Sequence, residues 1–185
     1  SKFSKELSSP GFIDLTSLKT YTIDDSDANE VDDALSYEIK DSNAIFWIHI
    51  ACPAELIKID SFLEKQAYKK ASTIYSIDNV DYMFPKEFIN NYFSLLIGQR
   101  RICLSLRMEL KTNYSINKFS FHKTIIRNSI ALSYNDADEI LDYQPKEEYQ
   151  LLAIEKITNK HFLDRQENGA ITIMEPEGFI TLKGS

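Results

Sequence analysis

The sequence is poor in cysteine, and it contains no long apolar run. Cys52 and Cys103 are its only cysteines, and they lie far apart. This number and separation predict neither a disulfide-stabilised scaffold nor a zinc site. No apolar stretch approaches membrane-spanning length, and the start, SKFSKELSSPGF, lacks the apolar core of a secretion signal. We therefore expect a protein of a reducing compartment, most simply the cytoplasm.

The chain also lacks an excess of positive charge. It has 28 acidic and 21 basic residues, a net charge of −7 and a pI of about 5.0. This balance argues against nucleic-acid binding by the chain as a whole, although a single basic face could coexist with it. The 185 residues are 43% hydrophobic and show no internal repeat or low-complexity linker. They can bury the core of one domain, or of one domain plus part of another.

Apolar patterning predicts strands interleaved with helices. Strands are predicted at TYTI (20–23), ALSYEIK (34–40) and AIFWIHI (44–50), the last of them central. A hairpin turn at KDSN (40–43) joins the second of these strands to the third. Further strands are predicted at RICLSLRMEL (101–110) and INKFSFHKTIIRN (116–128), and a final hairpin at 168–182. Helices are predicted at 61–72, at 133–143 with Ser133 as the cap, and at 146–166. This order predicts an α+β fold with a mixed, largely antiparallel sheet and packed helices.

Two of these helices have recognisable details. In the helix at 61–72, Ser61 and Glu64 fit a capping box, and Phe62, Leu63 and Ala67 supply an apolar face. The helix at 146–166 is amphipathic, with its inner face formed by Leu151, Leu152, Ile154, Ile157, Phe162 and Leu163. Both helices are therefore expected to pack on the sheet.

The acidity of the chain is concentrated in one segment. Seven acids and no basic residue lie between Lys19 and Lys40, namely Asp24, Asp25, Asp27, Glu30, Asp32, Asp33 and Glu38. Without them the chain would carry 21 acidic and 21 basic residues. A solvated loop is the commoner explanation of a charge run. Against it, half-apolar strand segments flank the run on both sides.

Two cation sites could explain the acidic run. Read from Asp25, the segment supplies the first three ligand positions of an EF-hand in Asp25, Asp27 and Asn29. It then has Glu30 where the sharp turn needs glycine, and Ser36 where a bidentate glutamate belongs. The predicted flanks are also strands where helices are required, so a calcium loop is disfavoured.

The other cation site uses Asp24, Glu30, Asp32 and Asp33. Asp24 ends a predicted strand, a loop of five residues follows, and three acids then surround Val31. An inward-pointing Val31 could anchor the loop while the acids face one cavity. Such carboxylates suit Mg²⁺, and two ions can assist phosphodiester hydrolysis. On the residues alone, a solvated loop remains open.

The segment TIDDSDANEVDDALSYE (22–38) closely resembles the signature of the RNB domain, the catalytic domain of the ribonuclease II and ribonuclease R exoribonucleases. Other segments resemble that family in the same order, from about residue 20 to the end. They are FWIHIACP, FLEKQAYKKASTIYSIDNVDYMFPKEF, FSLLIGQRRICLSLRMEL, ALSYNDADEIL and FLDRQENGAITI. The resemblance spans nearly the whole sequence.

The resemblance implies roles for five residues. Asp24 and Asp33 fall on the acids that hold magnesium, and Asp32 falls on the acid most directly tied to catalysis. Glu30 falls on the fourth acid, which is usually aspartate, and its extra methylene moves the oxygens by more than about 1 Å. Tyr75 falls on the tyrosine that stacks on the last RNA base; without the resemblance, it would be read as a partly buried structural tyrosine.

Other polar residues receive weaker predictions. The three histidines, His49, His122 and His161, show no metal-ligand spacing, and His49 is expected in the core. A second group could line an RNA path or could equally be solvated surface charge: Arg100, Arg101, Arg107, Lys69 and Lys70.

The resemblance implies a magnesium-dependent exoribonuclease that hydrolyses single-stranded RNA from its 3′ end to nucleoside 5′-monophosphates. Residues 1–19 would form a lead-in, and 20–185 the N-terminal half of an RNB domain. The other half and OB-type RNA-binding domains are then expected in the full-length protein, with no membrane contact, and the isolated chain should be inactive. The alternative is a catalytically silent RNB-like module that binds RNA or a protein. The glutamate at position 30 slightly favours this alternative, whereas the three matching acids, Asp24, Asp32 and Asp33, argue against it.

Overall fold

A seven-stranded sheet forms the centre of the computed structural model, which describes residues 11–28, 30–76 and 79–173. Its strands are β1 (Ile13–Asp14), β2 (Thr20–Asp24), β3 (Asp33–Lys40), β4 (Asn43–Ala51), β7 (Arg100–Leu110), β8 (Ile116–Arg127) and β9 (Ile130–Ser133), in the order β1-β8-β7-β4-β3-β2-β9. The outer strands β1 and β9 pair in parallel with β8 and β2, and the other pairs are antiparallel. The predicted α+β class with a mixed, largely antiparallel sheet is confirmed, and so is the central place of β4.

The predicted hairpin turn at 40–43 is also confirmed. β3 and β4 pair in register from Asp33 with Ile50 to Lys40 with Asn43. The two residues between the strands, Asp41 and Ser42, have φ angles of 49° and 63°. Positive φ at both central residues gives a two-residue turn whose twist matches that of the strands.

The helix α1 (Phe62–Lys70) begins as predicted but exposes Phe62, one of the three residues of its predicted apolar face. The Ser61 hydroxyl accepts a hydrogen bond from the Glu64 amide at 3.2 Å, as an N-cap does. The Glu64 carboxylate accepts from the Asp60 amide, one residue before the position that a capping box requires. Ala67 is buried, whereas Phe62 is 79% exposed. The expectation that Phe62 packs on the sheet is wrong.

Two longer helices follow β9. Ser133 caps α3 (Tyr134–Tyr143) as predicted, in a reciprocal capping box with Asp136. The last helix, α4 (Tyr149–Glu167), buries Leu151, Ile154 and Ile157 against the sheet. Its second half leaves Phe162 and Leu163 46% and 53% exposed, so the predicted inner face is correct only for the first half.

Several short elements were not predicted. They are the edge strands β1 and β9, a two-stranded sheet of β5 (Ile74–Tyr75) and β6 (Val80–Asp81), and the short helix α2 (Lys86–Phe88), which continues as a π-helix over Ile89–Phe93. Elements of two to five residues are too short to show a reliable period. Of the predicted hairpin at 168–182, residues 168–173 form no strand, and the remainder lies outside the described residues.

A row of buried polar side chains crosses five strands of the sheet. The hydroxyls of Thr20 and Ser36 are 2.9 Å apart, and Ser36 lies 3.1 Å from Nε2 of His49. Nδ1 of His49 lies 2.7 Å from the Ser105 hydroxyl, which lies 2.6 Å from that of Thr124. Burial lowers the pKa of His49 to about 4, so the ring is neutral near pH 7. His49 is the core histidine that the sequence predicted.

Both cysteines are free thiols, with Cys103 buried and Cys52 half-buried. In the three described ranges, no helix has both the length and the apolar character needed to cross a bilayer.

Candidate active site

The acidic turn is held in place by hydrogen bonds of its backbone. The amide of Val31 donates to the Ser94 hydroxyl at 2.9 Å, and its carbonyl accepts from the Leu95 amide at 2.8 Å. The carbonyl of Asp32 accepts from the Ala51 amide at 2.7 Å. The Val31 side chain packs on a small core that includes Leu95, as expected for an inward anchor.

Arg101 helps to hold the acidic turn through its hydrogen bond to Ser94, a role that the sequence did not reveal. Its Nε donates to the Ser94 carbonyl at 2.8 Å, and its two terminal nitrogens donate to the carbonyls of Asn90 and Arg100 at 2.9 and 3.0 Å. Only 6% of Arg101 is exposed, and burial lowers the pKa of its guanidinium. We expected Arg101 either to face RNA or to be solvated surface charge. The expectation of solvated surface charge is wrong, because Arg101 is buried and its donors bind carbonyls at the end of the π-helix. Its contact with RNA stays a prediction.

Asn128 is a second unpredicted support. It is 1% exposed, and its amide nitrogen donates to the Thr22 hydroxyl and to the Leu95 carbonyl, each at 2.9 Å. Thr22 lies in β2, just before Asp24, so Asn128 ties that strand end to the segment that holds Val31. No local pattern indicates such a role, because the contacts join residues far apart in the chain.

The other predicted RNA-path cations lie elsewhere. Arg100 pairs with Asp14 at 3.3 Å, Arg107 with Glu109 at 3.5 Å, and Lys70 with Asp81 at 2.6 Å. Lys69 is exposed. In the part of the chain that the structure describes, none of these four lines the cavities beside the acidic turn. Their contact with RNA stays a prediction.

The four predicted acids act on one another electrostatically. The pKa of Asp32 is raised, first by partial desolvation and then by the negative charges of Glu30, Asp33 and Asp24. Desolvation, followed by the charge of Asp24, also raises the pKa of Asp33. The structure therefore brings all four carboxylates into one negative field, which a cation would relieve.

The acids are divided between two cavities. Asp24 lines a cavity of about 830 Å³ that also contains Val31, Asn128 and Arg101. Glu30 and Asp32 line a second cavity of about 400 Å³. Within 11–28, 30–76 and 79–173, no three His, Cys, Asp or Glu side chains are placed so as to hold a metal ion together. Carboxylate oxygens are nevertheless the ligands that Mg²⁺ prefers, so the donor chemistry fits. The assignment of Asp24, Asp33, Glu30 and Asp32 as metal ligands stays a prediction.

Tyr75 stands at the mouth of the smaller cavity. Its ring is 69% exposed, and its hydroxyl donates to Oε2 of Glu30 at 3.0 Å. Desolvation and this hydrogen bond raise the pKa of Tyr75 to about 12. The rest of the lining is mostly apolar, with Ile50, Pro53, Met83, Phe84, Ile89 and Phe93. An aromatic face, an apolar lining and adjacent carboxylates could accept a flat, uncharged ring next to a cation-binding group.

The model of the RNB domain family matches residues 12–184. An uncharacterised ribonuclease of Synechocystis is 36% identical over 168 residues, which cover 90% of this chain and 25% of that protein. The chloroplastic and mitochondrial ribonuclease II of Arabidopsis thaliana is 31% identical, with 86% of this chain and 20% of that protein covered. Among solved structures, Mycoplasma genitalium RNase R with ribose-methylated single-stranded RNA is 21% identical with a TM-score of 0.88, covering 97% of this chain and 29% of that one. Yeast Ssd1, a pseudonuclease, is 18% identical with a TM-score of 0.76, and the match covers 89% of this chain and 20% of Ssd1. The chain thus spans a fifth to a quarter of the length of these two curated relatives.

Proposed function

Because this chain belongs to the RNB domain family, we propose that it forms the acidic part of the active site of a magnesium-dependent exoribonuclease. The enzyme hydrolyses single-stranded RNA from the 3′ end and releases nucleoside 5′-monophosphates. The observation that carries the proposal is the shared negative field of Asp24, Glu30, Asp32 and Asp33 beside a cavity with an aromatic mouth, where desolvation and then the neighbouring charges raise the pKa of Asp32. Structural charge clusters usually pair acids with bases, and a site that keeps like charges together indicates function.

Each residue has a distinct role in this proposal. Asp24 and Asp33 would hold Mg²⁺, which would supply Lewis acidity and offset the negative charge of the phosphate. Asp32 positions the reacting group at the edge of the smaller cavity, and Glu30 contributes the fourth carboxylate. The Tyr75 ring stacks on the terminal base, so that the last phosphodiester is presented to the acids.

The remaining parts of the activity belong to other polypeptide regions. The curated relatives are four to five times longer than the matched segment, which covers 25% and 20% of them. We propose that the rest of the RNB domain and OB-type domains bind the RNA strand and balance its charge, and that the 185-residue chain alone is inactive. The cytoplasm remains the proposed location.

The replacement of Asp32 by asparagine in the protein at its full natural length tests this function. The variant keeps the size of the side chain and removes one negative charge next to the scissile phosphate. We expect hydrolysis to fall by about 10³-fold or more, while RNA affinity holds or rises because an anion near the phosphate backbone is neutralised. Mononucleotide release and RNA binding are measured on one preparation at fixed salt and magnesium.

Asp25→Asn is the matched control, because it removes the same charge from an exposed position in the same turn. It should lose little activity. Unchanged turnover in Asp32→Asn would contradict the catalytic assignment.

A catalytically silent RNA-binding module is the second candidate. The fold likeness to the pseudonuclease Ssd1 and the glutamate at position 30 favour it. This candidate predicts RNA binding by the parent protein with no mononucleotide release at any magnesium concentration. The same assay therefore separates the two functions.

A further inference from the structure

Glu30 contacts Tyr75 more directly than it contacts the other acids. The hydrogen bond between them is 3.0 Å long and joins residues 45 positions apart. Glu30 and Tyr75 line the same cavity, whereas Asp24 lines the other one. Glu30 therefore faces the aromatic mouth of the site.

The ring of Tyr75 needs such a restraint. It belongs to a strand of only two residues and is 69% exposed. An exposed tyrosine can move between staggered rotamers, and a ligand that stacks on it must arrest that motion. A hydrogen bond from the Tyr75 hydroxyl to an acceptor oxygen within reach holds the ring in one rotamer before the ligand arrives.

The reach of Glu30 is what makes the bond possible. An aspartate at this position would be shorter by one carbon–carbon bond, about 1.5 Å. From a distance of 3.0 Å, this withdrawal would place the acceptor beyond hydrogen-bond range without a movement of the backbone. That backbone is fixed next to the position, because both polar groups of Val31 are bonded to Ser94 and Leu95.

We propose that Glu30 is a positioning residue, whose carboxylate holds the Tyr75 ring over the smaller cavity for the terminal base of the RNA. The length of the side chain, and not its charge, is the property that the site uses. This inference rests on the proposed function, because it takes Tyr75 as the stacking residue. It assigns Glu30 to base recognition and leaves the cation to Asp24 and Asp33, with Asp32 positioning the reacting group.

Two substitutions of Glu30 separate its reach from its charge. Glu30→Gln keeps an acceptor oxygen at the same distance and removes the charge, whereas Glu30→Asp keeps the charge and loses the reach. Tyr75→Phe keeps the ring and removes the hydroxyl. Tyr68→Phe is the matched control, because Tyr68 is an 86% exposed tyrosine on α1.

Binding of a fluorescent single-stranded oligoadenylate with a 3′ hydroxyl is measured with the full natural-length protein in EDTA, where no divalent cation contributes. We expect Glu30→Asp and Tyr75→Phe each to weaken binding by about three- to tenfold, less than the roughly 5- to 150-fold effect of removing a stacking ring, because the ring itself stays. The double variant should be no weaker than either one. Glu30→Gln should stay within about twofold of the parent or bind more tightly, and Tyr68→Phe should match the parent.

Binding of Mn²⁺, followed by electron paramagnetic resonance without RNA, is the second measurement. We expect Tyr75→Phe and Glu30→Asp to leave the Mn²⁺ affinity within about twofold of the parent. Glu30→Gln should lower the Mn²⁺ affinity by less than about tenfold, because it removes only a charge near the ion. A larger loss in Glu30→Gln, with RNA binding retained in Glu30→Asp, would make Glu30 a metal ligand and overturn the inference. Tyr75→Phe behaving like Tyr68→Phe, or no RNA binding by the parent protein, would also overturn it. If the parent protein binds RNA but no Mn²⁺, the proposed hydrolysis fails, and the RNA measurements still decide the role of Glu30.

Discussion

Replacing Arg101 with methionine tests whether a buried cation far from the acids in sequence holds the acidic turn in place. The guanidinium donates to the carbonyls of Ser94 and Asn90 and to that of its own neighbour, Arg100. Ser94 in turn accepts the Val31 amide through its hydroxyl. The stability of the turn should therefore depend on Arg101.

The expected cost follows from the three carbonyls that each lose a donor. The carbonyl of the fully buried Ser94 keeps the Leu96 amide at 2.9 Å and loses a charged donor that water cannot replace, at about 1–2 kcal/mol. The bonds to Asn90 and Arg100 are only partly buried, and water can replace some of each. Against these losses, methionine avoids the burial of a charge and keeps much of the packing. We expect a net loss of about 1–3 kcal/mol in the free energy of unfolding.

Urea unfolding of the 185-residue chain measures this difference, and hydrogen exchange of the Val31 and Leu95 amides localises it. Arg101→Lys keeps the charge but cannot reach all three carbonyls, so it should recover only part of the loss. Arg127→Met is the matched control, because Arg127 is exposed at the end of β8, and it should change stability by less than about 0.5 kcal/mol.

If Arg101→Met unfolds within about 0.5 kcal/mol of the Arg127→Met control and the Val31 amide stays protected, the reasoning is wrong. The turn would then be held by the strands alone.

Two further predictions concern pH. Asp32→Asn should be more stable than the parent chain near pH 7, because desolvation and the neighbouring acids raise the pKa of Asp32 in the folded state. This gain in stability should vanish as the pH falls to 3.8, the ordinary pKa of an aspartate. Urea titrations that show the same gain at every pH would contradict the prediction. Burial lowers the pKa of His49 from the ordinary 6.5 to about 4 in the folded state. The free energy of unfolding should therefore decrease by on the order of 3 kcal/mol as the pH falls from 6.5 to 4, because the buried ring must take up a proton. His49→Gln can still bond to the neighbouring hydroxyls and should lack this loss, so parallel stability curves for the two chains would refute the assignment.

Local patterns predicted the centre of the fold well. The β3–β4 hairpin was predictable because apolar alternation and a turn at Asp41 and Ser42 occur within one short segment. The cap at Ser133 was predictable for the same reason. The edge strands β1 and β9 were not, because each is held by parallel pairing with a strand distant in sequence. The exposure of Phe62 also depends on what lies opposite the helix, and the sequence of α1 does not contain that information.

Some residues of the candidate site could likewise be predicted from the sequence, and others could not. The acids from Asp24 to Asp33 stand close together in the sequence, so their grouping was visible there. The supports of the site were not visible, because Arg101 and Asn128 act through backbone atoms of other segments. The bond between Glu30 and Tyr75 left only one sign in the sequence, a side chain one methylene longer than the resemblance leads one to expect.

The row of hydroxyls around His49 also fixes how the strands align. If a strand shifted by one residue, its polar member would turn to the opposite face of the sheet; a shift of two would move it roughly 6.6–6.8 Å along the strand. Apolar neighbours can repack after such a slip, but each orphaned buried donor or acceptor would cost about 1–3 kcal/mol. The row therefore discriminates against compact misaligned sheets during folding. One alignment that it selects pairs Thr20 with Ser36, and this sets where β2 and β3 end. Asp24 and Asp33 are thereby brought to neighbouring strand ends by side chains that never touch them.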